Sequence, residues 1–161
     1  MEYVCIGKLV NTHGIKGEVR ILSDFEFKNK VFVKGFKLYI GKDKECVTIN
    51  SYRHHKVFDM CLFDEYNYIN DVLKFKGSLV YIHKDDLKLN DDEILDSDLI
   101  GLEGYYNNEI IGKVKDIINN NGYKLILIND KYIPYNKEFI ENIDIKQNKI
   151  TFKNLEGLLW E

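Results

Sequence analysis

The sequence has little proline and no long apolar run. The first shortage bears on how its turns are built, and the second excludes a class of protein. It has one Pro among 161 residues, so we expect its turns to be built from Asn and Gly. The longest apolar stretches, such as residues 125–128, are too short to cross a bilayer. The opening MEYVCIGK lacks the basic and apolar regions of a signal peptide, and no Asn-x-Ser/Thr acceptor occurs. These absences predict a soluble, cytoplasmic protein with no membrane partner.

Cysteine is also scarce. Cys5, Cys46 and Cys61 are odd in number and lack CxxC spacing, which argues against a disulfide framework and a zinc site. Each lies in an apolar, strand-like run, so we predict three small buried core residues. The adjacent His54 and His55 would point to opposite faces of a strand, which does not favour a metal site. We expect no metal and no cofactor.

Charge is present in both signs but is unevenly distributed. The net charge is −3 overall, made up of +5 in residues 1–56, −3 in residues 57–87 and −5 in residues 88–161. This division predicts different partners for the two ends of the chain. The basic excess of the front is smaller than the dense basic stripe of strong nucleic-acid binders.

The pattern of short strands and turns predicts an all-β protein of two small β-barrels in tandem, joined by a short acidic linker. Six short strands at regular spacing favour a closed barrel in the first half, with a helical turn at residues 67–75. The acidic stretch DDLKLNDDEILDSD is the candidate linker, and later strands separated by Asn-rich turns predict a second, smaller antiparallel barrel or sheet. The predicted boundaries are 1–86 for the first domain, 87–97 for the linker and 98–161 for the second domain.

The stretch IGKLVNTHGIKGEVRI is predicted to be a β-hairpin whose turn contains Gly14 and Gly17, which adopt positive φ without steric cost. One interpretation is a plain hairpin. The other is a contact with RNA or protein, because the turn presents His13, Lys16 and Arg20 together. His13 has no Ser or Cys neighbour in sequence, and the stretch lacks both the GxSxG elbow and the Walker pattern. We therefore expect no enzyme; a hydrolase that uses His13 is the enzymatic alternative.

The two halves together resemble the ribosome maturation factor RimM family. At the front, Gly7 and the run His13-Gly14-Ile15-Lys16-Gly17-Glu18-Val19 are similar to the opening signature of that family. The back resembles its PRC-barrel domain in Asp98-Leu99-Ile100-Gly101-Leu102, Ile111-Gly112-Lys113-Val114, Asp116, Ile133-Pro134-Tyr135 and Glu156-Gly157-Leu158-Leu159. The order and spacing of these motifs over nearly the whole chain make the resemblance specific.

The resemblance implies an N-terminal six-stranded barrel, a C-terminal PRC barrel and a non-enzymatic role in assembly of the small (30S) ribosomal subunit. Members of the family associate with the head ribosomal protein S-nineteen and promote maturation of the head of 16S rRNA, so these are the implied partners of a chain that we expect to be monomeric when free. The alternative is a PRC-type adaptor unrelated to ribosomes.

One departure from the family concerns the docking surface. The family carries an aromatic pair before the DL-x-G motif that is implicated in binding the ribosomal protein, and here those positions are Ile94 and Leu95. Apolar contact survives this change, whereas stacking and the hydroxyl hydrogen bonds do not. Tyr105 and Tyr106 are candidate substitutes, or ordinary strand aromatics. We predict ribosomal-protein binding at these four residues and rRNA or ribosome contact at His13, Lys16 and Arg20.

Overall fold

The structure is a computed structural model that describes residues 2–158. The chain divides into two compact units, residues 1–90 (unit 1) and residues 91–161 (unit 2). Unit 1 carries 15 Lys and Arg against 12 Asp and Glu, a net charge of +3, whereas unit 2 carries 8 against 14, a net charge of −6.

Unit 1 is a closed barrel with the strand order β1-β2-β5-β4-β3-β6, as the spacing of the strands predicted. Its strands are β1 Tyr3–His13, β2 Glu18–Leu22, β3 Lys37–Ile40, β4 Glu45–His55, β5 Phe58–Phe63 and β6 Ser78–His83. Its short helices are α1 Lys28–Val31 and α2 Ile69–Val72, and 3-10 turns lie at Leu73–Phe75 and Lys84–Asp86. The predicted helical turn at residues 67–75 is therefore confirmed as α2 and the 3-10 turn that follows it.

Apolar and polar residues alternate along the strands, so that apolar side chains fill the barrel and side chains of the other set lie on its outer face. Val19 and Ile21 of β2 are fully buried, whereas Arg20 between them lies on the other face and is half-buried. Leu9, Leu38 and Val80 contribute equally buried side chains from three other strands. Because closure removes the free edges of the sheet, the outer face is held by strands that are all paired.

Unit 2 is a six-stranded sheet with the order β10-β9-β8-β7-β12-β11. Its strands are β7 Glu103–Tyr106, β8 Glu109–Asn120, β9 Tyr123–Ile128, β10 Lys131–Pro134, β11 Ile140–Asp144 and β12 Lys149–Phe152, with helix α3 Asp96–Leu99 and a 3-10 turn at Leu155–Leu158. The prediction of a wholly antiparallel second sheet was wrong at one pair, since β12 and β7 run parallel. Their parallel pairing needs a long crossover, which strands β8 to β11 supply.

The Asn-rich turns of unit 2 have the geometry that their composition predicted. Asn107 and Asn108 have φ of 52° and 66°, and Asn129 and Asp130 have φ of 51° and 59°. Two successive residues with positive φ match the right-handed twist of the flanking strands, which explains why Asn and Asp occupy these loops.

The prediction of three buried cysteines was wrong for two of them. Cys61 is buried, whereas Cys5 and Cys46 are exposed. Strand pairing places Cys5 opposite Tyr81, Tyr81 opposite Tyr39, and Tyr39 opposite Cys46, so all four side chains share the outer face of the barrel. An apolar run does not reveal which face of a closed sheet each residue takes.

Candidate functional site

The turn between β1 and β2 is the hairpin that its glycines predicted. Gly14 and Gly17 have φ of +76° and +90°. A Cβ atom at Gly17 would meet the carbonyl oxygen of Tyr66 at 2.5 Å. The turn is further fixed by Ile69, whose backbone N–H donates to the carbonyl of Ile15 across 2.8 Å. The sequence therefore builds a rigid turn, and the side chains beside it are held by β1 and β2.

Two of the three predicted contact residues of this hairpin meet. A guanidinium N–H of Arg20 donates to His13, with 2.6 Å between Nη2 and Nδ1. His55, which sequence reasoning treated only as a metal candidate, lies beside this pair, since the ring centroids of His13 and His55 are 6.4 Å apart. The Arg20 guanidinium also lies over the ring of Phe58, 5.6 Å from its centroid. We call Arg20, His13, His55 and Phe58 the Arg20 cluster.

Lys16, the third predicted contact residue of this hairpin, is exposed in the turn itself. It borders an open hollow of about 350 Å³ that is lined by His13, Gly14, Ile15, Lys16, Glu18, Arg53 and Leu62. Ile15 is 70% exposed at this hollow, so apolar and cationic side chains border the same concave surface.

The charges around the hollow are predominantly positive. Glu18 is an acidic residue of this surface, and Arg53 binds it with two hydrogen bonds of 2.7 and 2.8 Å. That hydrogen bonding lowers the pKa of Glu18 below its usual value. Partial burial, followed by the positive charges of Arg53 and Lys56, lowers the pKa of His55. Both shifts keep protons off this surface, and its positive charge comes from lysine and arginine side chains.

His13 makes its side-chain contacts with nitrogen-bearing groups. Its side chain contacts Arg20 and His55, and neither carries a hydroxyl or a thiol. Among residues 2–158, no group of three or more His, Cys, Asp and Glu side chains could hold a metal ion. Within the same residues, no helix is long and apolar enough to span a bilayer.

The four predicted docking residues of unit 2 differ in exposure. Leu95 is only 2% exposed, so its side chain is buried rather than presented to a partner. Ile94 is half-buried and packs against the hydrophobic core of unit 2. The remaining docking prediction therefore depends on Ile94, Tyr105 and Tyr106, and on Leu95 only as a buried support.

Both tyrosines of β7 make contacts within unit 2. The ammonium group of Lys149 lies over the ring of Tyr105, 4.4 Å from its centroid. Tyr106 is half-buried against the core. Interaction with the Glu156 carboxylate raises the pKa of the Tyr106 phenol, and the phenol in turn lowers the pKa of Glu156. Each ring is thus fixed on one side and leaves part of its surface accessible.

Sequence reasoning also missed a buried carboxylate that shapes the barrel. Asp59 of β5 is fully buried and pairs with Lys28 across 2.7 Å. The hydroxyl of Tyr52 donates to Asp59 across 2.6 Å, and this buried environment raises the pKa of the Tyr52 phenol, with loss of solvation as the first cause. The only sequence signal was an acidic residue inside the apolar run FDMCLF. This network joins α1 and β4 to β5, the strand that also carries Phe58.

The fold and this surface together define a two-domain, all-β protein whose barrel carries a cationic outer face and whose second domain is acidic. Comparison with known proteins identifies the family. Residues 4–87 match the RimM N-terminal domain and residues 96–158 match the RimM PRC barrel domain. The chain belongs to the ribosome maturation factor RimM family.

Curated relatives agree over almost the whole chain. The ribosome maturation factor RimM of Finegoldia magna is 39% identical and matches 98% of this chain and 100% of its own length. That of Bacillus subtilis (strain 168) is 35% identical over 97% of this chain and 96% of its own length, and that of Exiguobacterium sp. is 33% identical over 99% and 98%. The resemblance seen in the sequence motifs is confirmed.

Proposed function

We propose that this chain is a non-enzymatic assembly chaperone of the small (30S) ribosomal subunit that acts in the cytoplasm as a monomer. The observation that carries the proposal is the match of both domains, in order and over nearly the full chain, to a family of ribosome maturation factors. Its coupled partners would be the immature subunit and the head ribosomal protein S-nineteen.

Unit 2 would hold S-nineteen. Its net charge of −6 is complementary to a basic ribosomal protein, and complementary charge speeds encounter and selects against wrong partners. The contact would involve Ile94, Tyr105 and Tyr106, which are half-buried, so part of each side chain is accessible. Leu95 would support this surface from below. Holding S-nineteen in place would promote maturation of the 16S rRNA head.

Unit 1 would contact immature 16S rRNA or a neighbouring protein through His13, Lys16 and Arg20. In support, unit 1 is the basic unit, His13 and Lys16 border one hollow of its barrel, and Arg20 is hydrogen-bonded to His13. The two contacts together would place S-nineteen against the segment of immature 16S rRNA that it joins.

Deleting the gene tests the proposal. We expect precursor 16S rRNA to accumulate and free small subunits to be immature, with both defects reversed by the wild-type gene. Normal precursor rRNA in the deletion strain would contradict the proposal. Under the alternative of a PRC-type adaptor, a pull-down from lysate would recover partners but no S-nineteen.

Complementation with single variants tests the docking surface of unit 2. Ile94→Ala should leave the protein folded and weaken rescue, because it removes part of an accessible apolar contact. Leu95→Ala should instead lower the thermal stability, because it creates a cavity at a buried position. Full rescue by Ile94→Ala at wild-type protein levels would remove this residue from the docking surface.

A further inference from the structure

We propose that the Arg20 cluster is a binding site for the phosphate backbone of single-stranded RNA. The proposal deepens the proposed function, on which it rests for the identity of the anion. It adds His55 and Phe58 to the residues that the hairpin sequence indicated, and it assigns the chemistry that Arg20 recognises.

Strand pairing places the members of the cluster on one outer face. Arg20 of β2 is opposite Met60 of β5, and Met60 is opposite Arg53 of β4. On the same strands, His55 is opposite Phe58. Directly opposed residues of neighbouring strands point to the same side of a sheet. His13 of β1 is opposite Glu18 of β2, two residues before Arg20, so four adjacent strands, β1, β2, β5 and β4, contribute to this face, with Met60 fully buried beneath the side chains around it.

Among residues 2–158, Arg20 has no acidic partner. Its hydrogen bond is to Nδ1 of His13, and its other close contact is the ring of Phe58. Its Nε is buried and has no hydrogen-bond partner in that part of the chain. A guanidinium group has five N–H donors, so most of its capacity is unused. A positive charge held in this way, without a carboxylate, favours an anion.

Neighbouring Arg53 shows the contrast. It lies on the same face, but its guanidinium already binds both carboxylate oxygens of Glu18. The charges of Arg53 and Glu18 neutralise each other, and a Glu18 carboxylate bound in this way is not available as a partner for Arg20. Two further cations lie near this surface: the exposed Lys16 borders the hollow, and the positive charge of the exposed Lys56 acts on His55.

The surroundings favour a nucleic-acid backbone over an acidic peptide. Single-stranded RNA is bound where cationic side chains contact phosphates and aromatic or apolar faces receive unstacked bases. The Arg20 guanidinium is hydrogen-bonded to His13 and lies over the ring of Phe58, and the ring of His55 lies beside that of His13. Beside them, the hollow offers Ile15 and Leu62 as apolar surface next to the cations. An acidic peptide would use the charges but not these ring and apolar faces.

Binding of the purified full-length chain to labelled RNA tests the proposal. The probe is a fluorescein-labelled single-stranded RNA of mixed sequence, followed by fluorescence anisotropy between about 50 and 200 mM salt. We expect Arg20→Gln to weaken binding about 5- to 10-fold and to reduce the slope of log affinity against log salt by about 0.7, the value of one lost phosphate contact on a single strand. His55→Gln should weaken binding by a smaller factor.

Lys37→Gln is the matched control, because it removes one exposed cation from β3 of the same barrel, outside the cluster. We expect it to change affinity less than about 2-fold. Thermal melting of each variant checks that it is folded. If Arg20→Gln does not fold, His55→Gln takes its place as the cluster variant in the binding assay. Equal losses for the cluster and control variants would overturn the proposal, because they would show binding by general charge.

A labelled polyglutamate peptide distinguishes RNA from an acidic protein. Tighter, Arg20-dependent binding of this peptide than of RNA would also overturn the proposal in favour of a protein partner. Precursor 16S rRNA in the deletion strain provides a separate readout. If RNA binding is independent of Arg20 while the deletion strain still accumulates precursor, the cluster proposal fails and the proposed function stands.

Discussion

Unit 1 closes its strands into a ring, whereas the strand order of unit 2 runs from β10 to β11. Their charges are also opposite, at +3 and −6. In unit 1, Arg20 lies on a fully paired sheet and has no carboxylate partner within the described part of the chain. In unit 2, Lys124 pairs with Asp96 across 2.8 Å and Lys149 covers Tyr105. The two units therefore differ in the sign of their excess charge and in how individual cations are paired.

The two units also differ in how deeply their ion pairs are buried, and this difference predicts the largest effect. Lys28 is the nearest ionic partner of the fully buried Asp59, whereas both members of the Lys124–Asp96 pair are about a quarter exposed. We expect Lys28→Ala to lower the free energy of unfolding by about 2–3 kcal/mol, because the buried carboxylate loses its lysine and keeps only Tyr52 and the more distant His54.

The matched variant of unit 2, Lys124→Ala, should cost less than about 1 kcal/mol, because water can solvate the remaining Asp96. Urea unfolding followed by circular dichroism measures both variants. Equal losses would show that burial does not distinguish the two pairs.

Glycine turns give the second comparison. Gly17 of unit 1 and Gly122 of unit 2 have nearly equal φ, +90° and +87°, but only Gly17 has backbone within reach of an added Cβ. We expect Gly17→Ala to cost about 2–3 kcal/mol, since strain and a steric clash combine, and Gly122→Ala about 1 kcal/mol from strain alone. Thermal unfolding of the two variants measures the difference. A Gly17→Ala protein as stable as Gly122→Ala would show that the Tyr66 backbone moves away readily.

The smallest effect concerns pH. The pKa of Glu18 is lowered by Arg53, so its ion pair stabilises the folded state above the unfolded pKa of about 4.5 and loses that contribution as the pH falls through the folded pKa. Glu18→Gln should therefore lower the Tm by about 1–3 °C at pH 7, and the difference from wild type should shrink towards pH 3. Glu109→Gln, at an exposed position of unit 2, should leave the Tm unchanged throughout. A Glu18→Gln deficit that persists at pH 3 would assign the loss to packing rather than charge.

Local pattern predicted the elements of this protein better than their contacts. Gly14 and Gly17 indicated the hairpin because positive φ is a local requirement, and Asn107 and Asn108 indicated their turn for the same reason. The exposure of Cys5 depends on which face of a closed sheet each residue takes, and its surrounding apolar run does not contain that information.

The candidate site was half predictable. His13 and Arg20 are seven residues apart on one hairpin, so the sequence placed them together. His55 and Phe58 join them only because β5 lies between β2 and β4 in the barrel, a strand order that no local pattern specifies. The burial of Leu95 likewise depends on tertiary packing, although its neighbour Ile94 is half-buried.

The proposed binding of S-nineteen depends on the acidic charge of unit 2. Binding of purified S-nineteen to the full-length chain, measured by surface plasmon resonance, tests it with two charge-matched double variants at exposed positions, Asp91→Asn with Asp92→Asn in unit 2 and Asp24→Asn with Asp43→Asn in unit 1. We expect the unit 2 variant to slow association and weaken binding about 5-fold or more, with the unit 1 variant unchanged. Equal affinities for the two variants, or no binding by the wild-type chain, would contradict the claim.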